Sequence, residues 1–517
     1  MSNVTETELK IELDGDALRR LKRKALPQGF TSGQTVTRTL RSIYFDTPDQ
    51  ALKRAKWSLR VRRVGRNWVQ TIKRGTGLSG GLSSPKETEV RVSGPMPDFA
   101  RIGDPELVEQ LNGLINGHDL VPQFETVIRR NARQISGEDG TSIELAIDSG
   151  EIVAGECRSE IGEAEFELKA GNPGQLFKLA KGLLNEHPVR FSGQSKAERG
   201  YRLASGGEDA KLSAPAPKTA GDVKLAADQD AGTALATILQ SCLDQIAHNR
   251  IATLDLDDPE GPHQLRIGFR RLRSAIKVFA PLLDDKDLKR FNEQAQAIAA
   301  EVGALRDLDV LGAEIVAPPQ AVMPAHVDAT ALLRTIGKAR KTTRRKVREL
   351  LARPEINEFL FDLGGYAVAI EQATGSGSPL ETPIGDFAAK ALKKRWNKVK
   401  AYGTRIGELS IEERHEMRKA LKKLRYTVEF FRSLYPQKAV KPFLEQLKVL
   451  QDVFGYLNDV AMAEHMVDLP KVKGVSKEDV ALAKGFVIGW HEARAAQAWT
   501  NARGIWKKTA KANRFWS

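Results

Sequence analysis

One pair of motifs occurs twice, and this repeat constrains the chain more than any other feature. His263 opens HQLRIGFRRLRSAIKVF and His415 opens HEMRKALKKLRYTVEFF; VGALRDLDVL and FGYLNDVAMA then place Asp307 and Asp459 the same 44 positions after their histidines (263 to 307, 415 to 459). Matched order at matched spacing signals an internal duplication. Residues 226–517 are therefore expected to form an all-α domain of two pseudo-symmetric helical bundles, approximately 226–370 and 380–517. Apolar residues there recur every third and fourth position, the helical period.

The first two-fifths of the chain have a different texture. TELKIEL, RSIYFDT, WSLRVRRVG, NWVQTIK, ETEVRVS, SIELAIDSGEIVAGE and GEAEFELKAG alternate apolar with charged residues and are broken by Gly and Pro. A period of two rich in β-branched and aromatic residues predicts strands. Between the two textures, SGGEDAKLSAPAPKTAGDVKL has no period and reads as a linker over 205–225, leaving 1–204 as a strand-built domain.

Charge and cysteine usage narrow the chemistry. The formal net charge is +14, and residues 226–517 hold 46 Lys and Arg against 36 Asp and Glu, so the helical half favours polyanions. Cys157 and Cys242 lie far apart without a CxxC partner, which argues against a zinc site or a disulfide framework; any metal would need oxygen ligands. No apolar run approaches the roughly 20 residues that span a bilayer, and the first ten residues lack a signal-peptide core, which predicts a cytoplasmic protein with no membrane partner.

In TELKIEL, Glu6, Glu8, Lys10 and Glu12 share one face of a strand, and Leu9, Ile11 and Leu13 the other. Alone, this pattern describes a solvated edge strand. Other segments repeat it with complementary charge: Arg60 and Arg62 in WSLRVRR, Lys73 at the end of NWVQTIK, Glu87 and Glu89 in KETEV, and Glu163, Glu165, Glu167 and Lys169 in GEAEFELK. A sheet closed into a barrel with its apolar face outward against helices would line a tunnel with these charges. Such interior charges are costly unless a ligand and a metal complete the pairing.

The E-x-E-x-K of Glu6, Glu8 and Lys10, the YFDT of Tyr44 to Thr47, the LRVR ending at Arg62, the QTIK ending at Lys73, the late E-x-E-x-E-L-K and the SKAERGY of Ser195 to Tyr201 together resemble the CYTH superfamily of triphosphate tunnel metalloenzymes, in its bacterial inorganic triphosphatase branch. The resemblance implies an α+β domain built on a closed antiparallel eight-stranded β-barrel with flanking helices. It further implies that Glu6, Glu8 and Asp148 ligate Mg²⁺ or Mn²⁺ together with two of Glu163, Glu165 and Glu167, the register between 163/165 and 165/167 being open. Glu6, Glu8, Lys10 and Glu165 would then carry catalysis. Lys10, Arg41, Arg60, Arg62, Lys73, Arg130 and Lys196, with Glu87 beside them, would bind substrate phosphates; a one-residue slip would exchange Arg130 for Arg129.

On the helix opened by His263, Arg266, Arg270 and Arg273 fall within about 80° of the histidine, and Leu265, Phe269, Leu272 and Ile276 lie opposite. The second copy sets His415, Arg418, Lys422 and Arg425 against Met417, Leu421, Leu424 and Val428. This half resembles the CHAD family of helical polyphosphate-binding modules. The resemblance implies phosphate contacts for both stripes and an association with polyphosphate granules, while Asp307 and Asp459 are read as partners of the cations. The two resemblances together point to metal-dependent hydrolysis of inorganic triphosphate or polyphosphate, releasing orthophosphate. A class IV type adenylate cyclase, a thiamine triphosphatase and a non-catalytic polyphosphate binder are the rivals. An aromatic content of 6%, mostly in apolar stripes, argues against nucleic acid as the partner.

Overall fold

The computed structural model describes residues 4–5, 7–75, 80–83, 85–186, 188–206, 215–372, 377–463 and 476–516, so the metal role assigned to Glu6 falls outside the described residues. The chain divides into two compact units, residues 1–216 with 353–369, and residues 217–352 with 370–517.

The first unit is an antiparallel sheet of β1 (Val4–Thr5), β2 (Thr7–Glu12), β3 (Phe30–Ser32), β4 (Val36–Asp46), β5 (Trp57–Val64), β6 (Asn67–Arg74), β7 (Leu82–Ser83), β8 (Lys86–Val92), β9 (Val121–Gly137), β10 (Ser142–Ala154), β11 (Cys157–Ala170) and β12 (Arg190–Phe191). The main path runs β8-β6-β5-β4-β9-β10-β11-β2. At one margin β8 pairs with β1, while at the other β11 pairs with β2, which begins only two residues after β1 ends. Both margins thus meet on the N-terminal segment, and the sheet is tunnel-like, as the alternating charge pattern requires. Two-residue hairpins join β5 to β6 and β10 to β11, with Gly65 and Gly155 supplying the positive φ that such tight turns demand.

The unit's helices are α1 (Gly15–Arg23), α2 (Ala51–Arg54), α3 (Pro105–Ile115), α4 (Gly174–Leu184) and α5 (Lys196–Ala204). One apolar layer joins Leu9, Ile11, Leu145, Ile147 and Phe166 to Leu18 and Leu21 of α1 and to Phe177 and Leu179 of α4. Another joins Leu59, Val61 and Ile72 to Leu52 of α2 and to Leu107 and Leu111 of α3. Since side chains alternate along a strand, filling this face with Leu, Ile and Phe leaves the charged positions on the other.

The second unit is helical. The first copy of the repeat supplies α6 (Ala231–Asp255), α7 (Glu260–Phe279), α8 (Lys286–Val310) and α9 (Thr330–Leu351); after α10 (Pro354–Gln372), the second supplies α11 (Ile384–Gly403), α12 (Ile411–Phe431), α13 (Gln437–Ala463) and α14 (Lys477–Lys511). The apolar stripes foreseen on α7 and α12 are buried, with Leu265, Phe269, Leu272, Met417, Leu421, Leu424 and Val428 fully enclosed. No helix among the described residues is long and apolar enough to cross a membrane.

Two boundaries differ from the linear reading. Part of the supposed linker belongs to the helical unit, where Val223 and Leu225 are buried. Residues 353–369, read as the end of the first bundle, group with the strand-built unit instead. Their apolar periodicity resembles that of any bundle helix, so sequence alone could not say which core they join.

Candidate functional site

The charged face of the sheet surrounds a cavity of about 390 Å³ lined by side chains from β2, β4, β5, β6, β8, β9 and β11 and by the first turn of α5. A buried carboxylate cluster that reaches this cavity through Glu165 is set by register. Asp148 on β10 stands opposite Glu163 on β11 and also opposite Arg130 on β9, while Glu165 stands opposite Lys10 on β2. Oxygens of Asp148, Glu163 and Glu165 all lie within 4.8 Å of one another, and all three residues are buried. Of the two registers left open, Glu163 with Glu165 is the pair that shares this cluster. Glu167 lines the cavity but stands outside the cluster and pairs with Lys169.

Cations are interleaved with the acids. Arg130 donates to Asp148 through Nε at 2.8 Å and through a terminal nitrogen at 2.7 Å, and also contacts Glu165. Arg129, its possible substitute, is exposed. Lys196, which follows the Ser195 cap of α5, places Nζ 2.9 Å from Asp148 and 2.8 Å from Glu165, and against Glu163. Lys10 Nζ bridges Glu165 at 3.0 Å and Glu8 at 3.1 Å, and Glu8 also accepts from Ser83. Glu8 therefore sits across Lys10 from the three-carboxylate cluster. Farther round the wall, Lys73 and Arg60 both engage Glu87, and Arg62 donates to Ser42.

Burial opposes ionisation of Glu165, yet Lys10, Lys196 and Arg130 hold its carboxyl well below the usual range. For Glu163 burial prevails over Lys196; with help from Glu165 it pushes that carboxyl up. Burial, with Arg60 next to it, pushes Arg62 down to about 10. Tyr44 is buried but faces Arg60 and Arg62, which draw its phenol down despite that burial.

Arg41 is a correction. It lies on the opposite face of β4, is largely exposed and forms an ion pair with Glu125, and it does not line the cavity. Its strand neighbours Ile43 and Phe45 share that outward face, packing in the apolar layer with α3. Sequence reasoning gave no role to Tyr44, Lys53 or Lys56, all of which line the cavity. Glu89 lines it too, as its alternation with Glu87 suggested.

The helical unit has its own cavity, about 670 Å³, to which both repeats contribute: His263, Arg266 and Arg270 from α7, and His415, Arg418, Lys422 and Arg425 from α12. Arg273 is absent from the lining and instead donates to Asn292 and Gln296, one turn beyond the cavity. Arg266 pairs with Asp307 at 2.8 Å and Arg418 with Asp459 at 3.6 Å, as the sequence suggested. Arg306, also in the lining, pairs with Glu314; its counterpart Asn458 contacts the His415 ring instead. Lys422 makes no ion pair among the described residues. Its burial, together with Arg270, Arg418 and Arg266, pushes it down to about 6. His263 is also lowered, by burial and then by Arg306.

A CYTH domain model matches residues 5–201, and a CHAD domain model matches residues 237–468. The chain carries a CYTH domain followed by a CHAD domain. The inorganic triphosphatase of Haemophilus influenzae is 35% identical over 167 residues, 32% of this chain and 46% of that relative, so the match spans about half of the relative's length. An uncharacterized protein of Mycobacterium tuberculosis is 22% identical over 463 residues, 86% of this chain and 85% of its own length. Among solved structures, the CHAD domain of the plant Ricinus communis is similar over 58% of this chain and 98% of its own, at 26% identity and a TM-score of 0.49. The strand-built cavity therefore belongs to the CYTH domain and the helical cavity to the CHAD domain.

Proposed function

We propose that the CYTH domain hydrolyses inorganic triphosphate or the end of a polyphosphate chain, releasing orthophosphate with the aid of Mg²⁺ or Mn²⁺, and that the CHAD domain holds polyphosphate. The observation that carries this reading is the convergence of Asp148, Glu163 and Glu165, with oxygens within 4.8 Å of one another, against Lys196, Arg130 and Lys10 at the wall of a cavity lined by charges of both signs. A polyanion binder gains nothing from three buried carboxylates at its centre, whereas a metal-assisted phosphoanhydride hydrolase needs both charge signs. The 35% identity of this region to a protein named as an inorganic triphosphatase supports the same reading.

The residues fit a hard divalent cation. All three donors are carboxylate oxygens, buried and close enough together to share one ion. Asp148, Glu163 and Glu165 would hold the ion, with Glu8 facing the same cavity from beyond Lys10. Once bound, the ion would polarise phosphoryl oxygens and lower the pKa of a bound water. Lys10, Arg60, Arg62, Lys73 and Arg130 would hold phosphate oxygens and offset charge as it moves toward the leaving group. Arg fits this task through its fork of donors and Lys as a point charge. Arg60 and Lys73 are held back by Glu87 until phosphate competes for them.

The test is a panel of tripolyphosphate, long-chain polyphosphate, ATP and thiamine triphosphate, each offered with Mg²⁺ and with Mn²⁺. Phosphate, pyrophosphate and cyclic nucleotide are measured. Metal-dependent phosphate release, strongest from tripolyphosphate or polyphosphate, is expected. A cyclic product from ATP, or no metal-dependent release from any substrate, would overturn the proposal.

A further inference from the structure

Four helices of the first CHAD copy match four of the second in order, α6 to α9 with α11 to α14, and α10 falls between them without a separate counterpart among the described residues. It lies within the stretch matched by the CHAD model, yet residues 353–369 group with the CYTH unit. Phe361 and Val368 of α10 are buried in the apolar layer that also contains Leu9, Ile11 and Phe166 of the sheet. Gly364 lets the helix approach Phe177 of α4 so closely that an added Cβ would lie 2.3 Å from the ring.

The polar contacts of α10 converge on the segment leading from α4 to α5. Asn357 is fully buried; its Oδ1 accepts from the Val189 backbone N–H at 3.1 Å, and its Nδ2 donates to the Asn185 carbonyl at 3.2 Å. Glu358 accepts from the Asn185 side chain at 2.9 Å, and Asp362 pairs with Lys181 at 2.7 Å. Phe361 meets Phe191 edge to face, with ring centroids 5.4 Å apart. The segment held in this way continues directly into the cavity. Phe191 pairs with Ile11 in β12, Ser192 N–H donates to the carbonyl of Lys10 at 3.0 Å, and Ser195 caps the helix whose first residue is Lys196.

We infer that α10 is a positioning element of the CYTH cavity, in which Asn357 and Phe361 fix Asn185, Val189 and Phe191 and thereby set the places of Lys10 and Lys196. A buried Asn that uses its amide on two backbone groups fixes the chain it bonds, because losing the bonds leaves those groups unsatisfied. Displacing a reacting constellation by about 1 Å costs on the order of a hundredfold in rate. The sequence inserted between the CHAD repeats thus helps shape the chemistry of the other domain.

This inference rests on the proposed hydrolase reading, and its test separates the two. In the full-length chain, Asn357→Ala and Phe361→Ala should each lower kcat for tripolyphosphate by about tenfold. KM should change less, and retention of long-chain polyphosphate by the CHAD cavity should be unchanged. Phe361→Leu, which keeps the apolar contact, should recover most of the rate. Hydrogen exchange provides a second readout that needs no activity: amides 8–12 and 188–196 should exchange faster in Asn357→Ala, while those of α7 and α12 keep their wild-type rates. Wild-type kcat in both alanine variants would overturn the inference, as would exchange that rises equally across both domains. If the wild-type protein releases no phosphate, the hydrolase reading fails, and the exchange pattern alone decides the role of α10.

Discussion

The two cavities are built from the same residue types, and particular buried cations in them are in opposite electrostatic states. In the CYTH cavity, burial opposes the charge on Lys10 and Arg130, yet carboxylates hold both above their ordinary ranges; each cation has an acidic partner in hand. At Lys422 in the CHAD cavity burial prevails and, with neighbouring arginines, pushes the ammonium down to about 6. Arg418 is lowered too, chiefly by burial, despite its pairing with Asp459. On the proposed reading, a metal and phosphate would displace the acids that hold Lys10 and Arg130 in the first site. In the second, Lys422 makes no ion pair among the described residues, and an anionic ligand would supply one. Lining residues alone would not separate an internally compensated site from an uncompensated one; the pairing does.

The largest expected effect comes from removing the acid that balances three cations. Glu165→Gln should lower metal-dependent phosphate release by at least a hundredfold, or about 2.7 kcal/mol in transition-state stabilisation, measured with saturating tripolyphosphate. Activity within a few-fold of wild type would place the acidic focus elsewhere.

Lys196→Gln leaves the three carboxylates without the ammonium that touches them all. In metal-free buffer the variant should be less stable by about 3 kcal/mol, the scale for an uncompensated buried charge. Because a divalent ion would take over that compensation, thermal melts with and without Mn²⁺ should show much of the loss restored. Equal destabilisation in both buffers would contradict the idea that the ammonium and a metal ion answer the same charge.

The CHAD cavity should respond to pH. Free Lys422 is mostly neutral above about pH 6 and regains its proton when a polyanion arrives. Binding is therefore linked to proton uptake, and affinity rises as pH falls toward 6. His263, with its folded-state pKa also lowered, adds charge at the acid end. A shift from pH 8.5 to 6.5 should tighten long-chain polyphosphate binding by about tenfold, with the heat of binding dependent on the buffer's ionisation enthalpy. Lys422→Met should lose most of this dependence. A flat pH profile in the wild type would remove Lys422 from the ligand's surroundings.

The smallest effects are expected at Arg41 and Arg273, which carry the right charge outside the cavities. Alanine at Arg41 should leave triphosphate kinetics within about twofold, as its exposed pair with Glu125 is worth little. Arg273→Ala should change polyphosphate affinity less than Arg270→Ala. A hundredfold loss at Arg41 would mean that the charged face of β4 had been misjudged.

The pattern of these two positions shows what was legible in the sequence. Alternation along β2, β5, β8 and β11 identified the inward charges, because a strand exposes every second side chain to one face whatever the rest of the fold does. For Arg41 the family resemblance and the alternation disagree, and the structure follows the alternation: Ile43 and Phe45 mark its face as the outward one. Arg273 lies on the correct stripe of α7, but helical angle says nothing about how far a cavity extends along the axis. The choice of Glu163 with Glu165 required the pairing of β10 with β11, which one strand cannot reveal. The allegiance of α10 was equally hidden, since its amphipathic period suits either core.

Mn²⁺ titration monitored by electron paramagnetic resonance tests the central claim most directly, comparing the wild type with Asp148→Asn, Glu163→Gln, Glu165→Gln and Glu167→Gln. One or more tight sites in the wild type, lost in the first three variants and retained in Glu167→Gln, is the result predicted here. Undiminished Mn²⁺ binding in those three variants, or its loss only in Glu167→Gln, would contradict it.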